Sequence, residues 1–138
     1  MQIALGSDDE DVLVVALAAH LRDGGHEVRR IGEDAEWPEI GRLVAQAVAA
    51  GEAERGIVCC YTGTGVAIAA NKVSGIRCAL CVDAATALGA RRWNDANVLA
   101  LSLRLTSAAV AVEIVDAFLS AEPDADTAAA IARLEPGA

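Results

Sequence analysis

The residues best suited to chemistry lie where an apolar strand ends on Cys60 and a glycine-containing loop opens a helix. Gly63 and Gly65 let the loop turn tightly, so that successive backbone N–H groups point in one direction, and the following helix adds the positive end of its dipole. Such a loop holds an anion and stabilises a thiolate beside it. The pattern is typical of chemistry in which a base removes a proton next to a carbonyl group while backbone donors hold the oxyanion.

Simpler explanations for parts of this loop stay open on the residues alone. Cys60 fits equally well a buried thiol that only fills space at a strand end. Thr62 is a residue type that often only caps the helix behind a glycine turn. A dinucleotide site is excluded, because the third glycine position of the Gly-x-Gly-x-x-Gly motif holds Ile68 and the loop follows the third strand instead of the first.

The elements that must position this loop alternate regularly along the chain. Strands are predicted near 2–6, 27–31, 55–60, 76–82 and 97–101, and helices near 10–23, 38–51, 65–73, 84–92 and 107–121. This alternation predicts an α/β fold, a three-layer Rossmann-like sandwich with a five-stranded parallel sheet. A short acidic tail, residues 122–138, follows the main domain and has the pattern of a short helix near 126–134.

Ligands of an open parallel sheet bind beyond the carboxyl ends of its strands. The residues expected at that edge follow the five strands in turn: 7–11, 36–39, 60–65, 83 and 102–104. The predicted site therefore combines the loop after Cys60 with the acidic loop that contains Asp8.

Composition excludes several classes of partner. The chain has 138 residues, 54% of them hydrophobic, and a formal net charge of −9, which argues against nucleic acid and anionic membranes as partners. Charged residues or glycines interrupt every apolar run, and no basic region precedes the first one, so we expect a soluble, cytoplasmic protein.

The four cysteines do not predict a metal site. Cys78 and Cys81 have a familiar spacing, but they lie on a predicted strand, where residues three apart point to opposite faces. Cys59 and Cys60 are adjacent and point apart for the same reason. Cys59, Cys78 and Cys81 are therefore interpreted as small buried hydrophobic residues in a reducing compartment.

Several runs resemble one known family. They are Cys60-Tyr61-Thr62-Gly63-Thr64-Gly65, Ile68-Ala69-Ala70-Asn71-Lys72, Gly75-Ile76-Arg77 and Asn94-Asp95-Ala96-Asn97-Val98-Leu99, with Ile3 to Asp8 and Gly25-His26-Glu27-Val28 near the start. Over residues 1–121 the chain is similar to the ribose-5-phosphate isomerase B family, which includes the LacA and LacB sugar-phosphate isomerases. The resemblance implies aldose-ketose isomerisation of a small sugar in a homodimer with sites near the subunit interface, and without a metal or organic cofactor.

The resemblance also implies roles for individual residues. Cys60 would transfer the proton between carbons, and Thr62 would assist opening of the sugar ring. The backbone of Gly63, Thr64, Gly65 and Val66 would hold the enediolate. Further substrate contacts would come from Asp8, Asp9, Trp37, Trp93, Asn94 and Arg104. For two of these a structural role stays open: Asp8 as part of a helix cap, and Asn94 as a tie within its loop.

The chain departs from the family pattern at the phosphate site. Asp9 stands where the family has a phosphate-contacting histidine, Trp93 replaces a ring-opening histidine, and Trp37 replaces a tyrosine. The arginine-rich C-terminal segment is also shortened. Each lost charge-assisted hydrogen bond is worth roughly 1.5 to 3 kcal/mol. We therefore expect less dependence on phosphate and tryptophan faces at the pocket mouth. The alternative function is a catalytically silent family member that binds a small molecule or a protein.

Overall fold

The computed structural model describes residues 1–135. The strands are β1 (Gln2–Ser7), β2 (Glu27–Arg30), β3 (Arg55–Cys60), β4 (Cys78–Leu80) and β5 (Val98–Ser102). The helices are α1 (Val12–Asp23), α2 (Trp37–Ala49), α3 (Thr64–Asn71), α4 (Ala84–Asn94), α5 (Ala108–Ser120) and α6 (Ala128–Ala132), and a 3-10 turn (Ala125–Thr127) precedes α6. The predicted elements are confirmed, and the ends of the five strands and of α1 to α5 lie within two residues of the predicted ones.

The five strands form one parallel sheet in the order β2-β1-β3-β5-β4. Ser7 pairs with Cys59, and Cys60 pairs with Ser102, so the loops after β1, β3 and β5 leave the sheet at one edge. The predicted Rossmann-like α/β class is therefore confirmed.

The two faces of the sheet carry separate cores. On one face α1, α4 and α5 cover side chains such as Leu5, Cys59 and Leu101. On the other face α2 and α3 cover side chains that include Val58 and Cys60. The neighbouring strands β1 and β3 thus lead into helices on opposite faces, which opens a crevice between their carboxyl ends. Adjacent Cys59 and Cys60 lie in opposite cores, as the strand pattern predicts.

Side-chain caps fix three helix starts. The Asp11 side chain accepts a hydrogen bond from the backbone N–H of Leu13 at the start of α1. The Asp83 side chain accepts one from the backbone N–H of Thr86 at the start of α4. Ser107 caps α5 through the backbone of Val110. Because a capped helix begins at a defined residue, these contacts set the lengths of the loops at the site edge.

The tail folds back along α4. Asp124 receives two hydrogen bonds from the Arg92 guanidinium, and its backbone N–H donates to the Arg92 carbonyl at 2.8 Å. Further on, both oxygens of Glu135 accept from the backbone N–H of Gly75 at 3.1 Å. The short helix expected near 126–134 is present as α6 and the 3-10 turn before it. None of the helices within residues 1–135 combines the length and apolar character needed to cross a membrane.

Candidate active site

A cavity of about 340 Å³ opens at the carboxyl end of β3. The residues that line it are Asp8, Trp37, Cys60, Tyr61, Thr62, Thr64 and Gly65. Six of them are predicted site residues that come from three separate stretches of the sequence. The fold therefore brings the loop after Cys60 together with the acidic loop of Asp8 and the start of α2.

Cys60 is the last residue of β3 and is 5% exposed, on the same side of the sheet as α2 and α3. Its carbonyl oxygen accepts a hydrogen bond from the backbone N–H of Leu103, in the loop after β5. The strand and this bond fix the backbone, so the thiol has a defined position at the floor of the cavity.

The glycine turn beside Cys60 requires Gly63. Its φ angle is +77°, and a Cβ atom there would lie 2.6 Å from Leu80 Cδ1 and 2.9 Å from the carbonyl carbon of Leu101. Both the left-handed backbone and the close approach to β5 exclude a larger residue. Gly63 also supplies the N-cap of α3 without a side chain, so the first N–H groups of the helix receive no side-chain cap. These donors are available to an anion in the cavity.

The loop after β5 holds the glycine turn in place. The carbonyl oxygen of Tyr61 accepts from the backbone N–H of Arg104 at 2.9 Å and from Ser102 Oγ at 3.1 Å. Ser102 Oγ also accepts from the backbone of Leu105. The structure thus places Arg104 next to the site through its backbone, with its side chain exposed to solvent.

Trp37 forms one wall of the cavity. Helices α2 and α3 approach so closely that a Cβ atom on Gly41 would fall 2.7 Å from the carbonyl oxygen of Val66. This contact brings the start of α2 over the start of α3, where the indole of Trp37 covers Gly65. Val66 itself is buried beneath the helix, so only its backbone can serve the site.

The acidic loop is ordered by its own hydrogen bonds. Ser7 Oγ donates to the carbonyl oxygen of Asp9 at 2.6 Å, and Asp11 is the cap of α1. Asp8 lines the cavity with Cys60, while Asp9 is exposed beside it. Burial, together with the nearby charge of Asp9, raises the pKa of Asp8. The helix cap is thus Asp11, which leaves Asp8 free to contact a ligand.

A second acidic opening borders the same wall. A cavity of about 470 Å³ is lined by Asp8, Glu33, Asp34, Ala35, Glu36 and Trp37. Asp8 and Trp37 are shared between the two cavities. A ligand that enters beside Trp37 therefore meets several carboxylates, which favours neutral or cationic groups over anions.

Trp93 and Asn94 do not join this site within one chain. Helix α4 starts at the carboxyl end of β4 and runs back for 11 residues, about 16 Å. It carries the backbone of Trp93 and Asn94 toward the amino ends of the strands, while the ring of Trp93 lies back over Gly89. The expectation that both tryptophans flank one pocket does not hold within a single chain, because Trp93 lines a groove along α4 and not the cavity around Cys60.

Trp93 and Asn94 line cavities other than the one around Cys60. Trp93 lies in a groove of about 570 Å³ with Leu80 and Asp83, and Asn94 also lines a cavity of about 410 Å³ with Leu134. The loop that follows is tied by Asn97, whose amide oxygen accepts from the backbone of Arg77 and whose amide nitrogen donates to Gly75.

The other three thiols are unsuited to act as bases. Burial raises the pKa of Cys59 to about 12 and that of Cys78 to about 12. Burial raises the pKa of Cys81 to about 11. These side chains therefore stay protonated near neutral pH. Cys78 and Cys81 also lie in opposite cores, so they cannot hold one ion together.

Two residues near the site are not among the substrate contacts predicted from the sequence. Tyr61 lines the cavity and is 67% exposed. Its position in the sequence between Cys60 and Thr62, both predicted site residues, could have indicated this. Arg30, at the end of β2, forms an ion pair with Glu10 at 3.2 Å and keeps its side chain 17% exposed. The strand pattern of β2 does not predict this pairing, since Glu10 lies in the loop after β1.

Comparison with known proteins identifies the family of this chain. A family model described as Ribose/Galactose Isomerase matches residues 3–134. Ribose-5-phosphate isomerase B of Escherichia coli (strain K12) is 41% identical over 126 residues, which cover 88% of this chain and 85% of that protein. D-erythrulose-4-phosphate isomerase of Pectobacterium atrosepticum is 38% identical over 128 residues, covering 88% and 84% of the two chains.

Solved structures show the same likeness. Ribose-5-phosphate isomerase B from Clostridium thermocellum superposes with a TM-score of 0.92 at 41% identity, covering 97% of this chain and 95% of the other. The Thermotoga maritima enzyme gives a TM-score of 0.91 at 36% identity, with 97% of each chain covered. The resemblance predicted from the Cys60 loop and the Asn94 run is confirmed, and the chain belongs to the ribose/galactose isomerase family of sugar isomerases.

Proposed function

We propose that this protein interconverts an aldose and its ketose with Cys60 as the proton-transferring base. The observation that carries the proposal is the placement of the Cys60 thiol in one small cavity with the uncapped start of α3. A base and a set of oxyanion donors are the two parts that proton transfer next to a carbonyl group requires.

The chemistry follows from that placement. The thiolate of Cys60 takes the proton from C2 of the open-chain aldose, and the C1 carbonyl becomes an enediolate whose oxygen accepts hydrogen bonds from the backbone at Gly63 to Val66. Cys60 then returns the proton to C1. The hydroxyl proton of O2 is lost and O1 gains one, so that C2 becomes the carbonyl and the number of protons is unchanged. No electron acceptor is needed, because one carbon is oxidised as its neighbour is reduced.

The charges around the cavity support a substrate that depends less on phosphate. The two relatives named above act on ribose 5-phosphate and D-erythrulose 4-phosphate by their names. Here Asp8, Glu33 and Glu36 stand around the entrance. At the far end of the sheet Arg92 is paired with Asp124, and Arg77 with Asp95. A dianion would meet repulsion at the entrance, and at the far end of the sheet it would meet arginines that carboxylates already occupy.

A homodimer would complete the site. Neither Trp93 nor Asn94 lines the Cys60 cavity of its own chain, so in the proposed dimer they would contact a ligand beside Cys60 from the second copy. Trp93 is 60% exposed and therefore free to meet a partner. In this arrangement Asp8, Trp37 and the Cys60 loop come from one subunit, and Trp93 and Asn94 from the other.

One observation favours a catalytically silent binding protein as the second candidate. Both histidines of the chain lie outside the cavity: His20 contacts Asp116 at 2.7 Å, and His26 contacts the N-terminal amine. The cavity thus receives no imidazole from its own chain for acid catalysis. Such a protein would keep the stacking surface of Trp37 and bind a sugar without converting it.

A panel experiment separates the two functions. Ribose, ribose 5-phosphate and a set of tetroses, labelled with ¹³C at C1, are incubated with the protein, and NMR follows formation of the ketose. The isomerase proposal expects conversion of at least one sugar, with a higher kcat/KM for an unphosphorylated substrate. Binding of a sugar by calorimetry without conversion of any would instead support the silent protein.

A further inference from the structure

Two hydroxyl groups meet at the mouth of the Cys60 cavity. Thr62 Oγ1 and Thr64 Oγ1 are 2.7 Å apart, a usual distance for an O–H···O hydrogen bond. Both side chains line the cavity. Each hydroxyl carries one proton, so one proton lies between the two oxygens and the other is free to reach a ligand.

Thr64 is the more rigid member of the pair. It is the first residue of α3, and the turn around it is closed by the bond from the backbone of Ala67 to the carbonyl of Gly63. A β-branched side chain on a helix has few χ1 choices. Thr62 lies in the turn before Gly63, outside the helix, and its hydroxyl contacts that of Thr64.

Either hydroxyl could donate in this contact, and the start of α3 favours Thr64 as the donor. The N–H groups of the first turn of α3 create a positive potential around Thr64. This potential favours an orientation of the Thr64 hydroxyl in which the oxygen lone pairs point toward the N–H groups. The hydroxyl proton of Thr64 then points away from the helix, toward Thr62. In that orientation Thr62 would accept from Thr64 and keep its own proton for the cavity.

We propose that Thr64 is a positioning residue whose hydroxyl aims the proton of Thr62 at the ring oxygen of a cyclic sugar; the proposal rests on the proposed isomerase function. Opening a hemiacetal ring breaks the bond from C1 to the ring oxygen, places a proton on that oxygen and removes one from the C1 hydroxyl. A hydrogen bond from Thr62 stabilises the charge that develops on the ring oxygen. Thr64 makes that bond available without touching the sugar.

The test compares a sugar that forms a ring with one that does not. D-Ribose closes five- and six-membered rings, whereas monomeric D-glyceraldehyde has no hydroxyl placed to close one. Thr64→Val keeps the shape of the side chain and removes the hydroxyl, and Thr64→Ser keeps the hydroxyl. We expect Thr64→Val to lower kcat/KM for D-ribose five- to twentyfold more than it lowers kcat/KM for D-glyceraldehyde. Thr64→Ser should restore turnover of D-ribose.

Other outcomes overturn the proposal in distinguishable ways. Equal losses on both sugars would show that the hydroxyl only supports the loop, and an unchanged rate on D-ribose would show that Thr62 needs no partner; each result rejects the role of Thr64 while the wild-type activity stands. If the wild-type protein converts neither sugar, nor any sugar of the wider panel, the isomerase function fails and the role of Thr64 fails with it.

Discussion

The indole ring of Trp37 lies directly over Gly65: a Cβ atom on Gly65 would fall 2.8 Å from Cε3 of the ring. Trp37 begins α2 and Gly65 is the second residue of α3, so the contact joins two helices that the sequence separates by the whole of β3. Both residues line the cavity around Cys60. The position of the indole therefore depends on the absence of a side chain at residue 65.

Gly65→Ala should push the indole away from the cavity. Alanine is a better helix former by about 1 kcal/mol, but overpacking costs typically 1 to 3 kcal/mol, so we expect a small net loss of stability and at least a tenfold fall in kcat/KM. The matched control is the double variant with Trp37→Ala, in which the clash is absent. Thermal unfolding should show that Gly65→Ala costs less in that background; an equal cost in both would contradict the contact.

Much of this arrangement follows from sequence pattern. The alternation of short apolar runs with helical patterns gives the sheet, and the parallel strands put Asp8, Cys60 and Ser102 at one edge. The contact between Trp37 and Gly65 could not be predicted, because it depends on how closely α2 and α3 approach. Asn94 does not line the Cys60 cavity of its own chain for a topological reason: α4 starts at the carboxyl end of β4, so its last residues lie toward the amino ends of the strands.

Ligand binding should be visible in the emission of Trp37. Its indole is 44% exposed and lines the Cys60 cavity, so a sugar stacked on it will change its surroundings. In the Trp93→Phe variant, which leaves Trp37 as the only tryptophan, titration with a ligand that binds near Cys60 should shift or quench the fluorescence. An unchanged spectrum at saturation would exclude Trp37 from the site.

The complementary Trp37→Phe variant reports on Trp93. In the proposed dimer its emission should respond to the same ligand at protein concentrations where sedimentation shows a dimer. It should cease to respond on dilution to monomers. A response that persists in monomers would place Trp93 near Cys60 of its own chain and contradict the course of α4.

Asp9→His should raise affinity for phosphate. The change removes a negative charge beside Asp8 and adds a donor, and a hydrogen bond to a charged group is worth roughly 1.5 to 3 kcal/mol. We expect Kd for ribose 5-phosphate to fall about tenfold by calorimetry, with little change for ribose. Asp23→His, an exposed residue at the other end of α1, makes the same charge change away from the site. An equal gain in that control would show a general charge effect only.

The cap of α4 predicts a dependence of stability on pH. The hydrogen bonds that the Asp83 carboxylate accepts at Thr86 lower its pKa below the ordinary value of 3.8. Because the pKa of Asp83 is lower in the folded protein than in the unfolded chain, the ionised carboxylate stabilises the fold above pH 3.8. This stabilisation is lost as the pH falls through the pKa of the folded state. Asp83→Asn retains a cap without titrating. The wild-type advantage over this variant in urea unfolding should therefore shrink as the pH falls below about 3.8; a constant difference would contradict the cap.

The central claim is that the Cys60 thiolate carries the proton between the two carbons. The direct measurement is exchange in D₂O: the wild-type protein is incubated with an aldose that it converts, and NMR follows deuterium at C2 of the remaining aldose and at C1 of the ketose. Cys60→Ser should abolish both signals. Cys59→Ser and Cys78→Ala, which alter thiols whose pKa burial raises to about 12, should retain most of the exchange. Exchange that continues in folded Cys60→Ser, or is lost equally in all three variants, would contradict the assignment of Cys60 as the base.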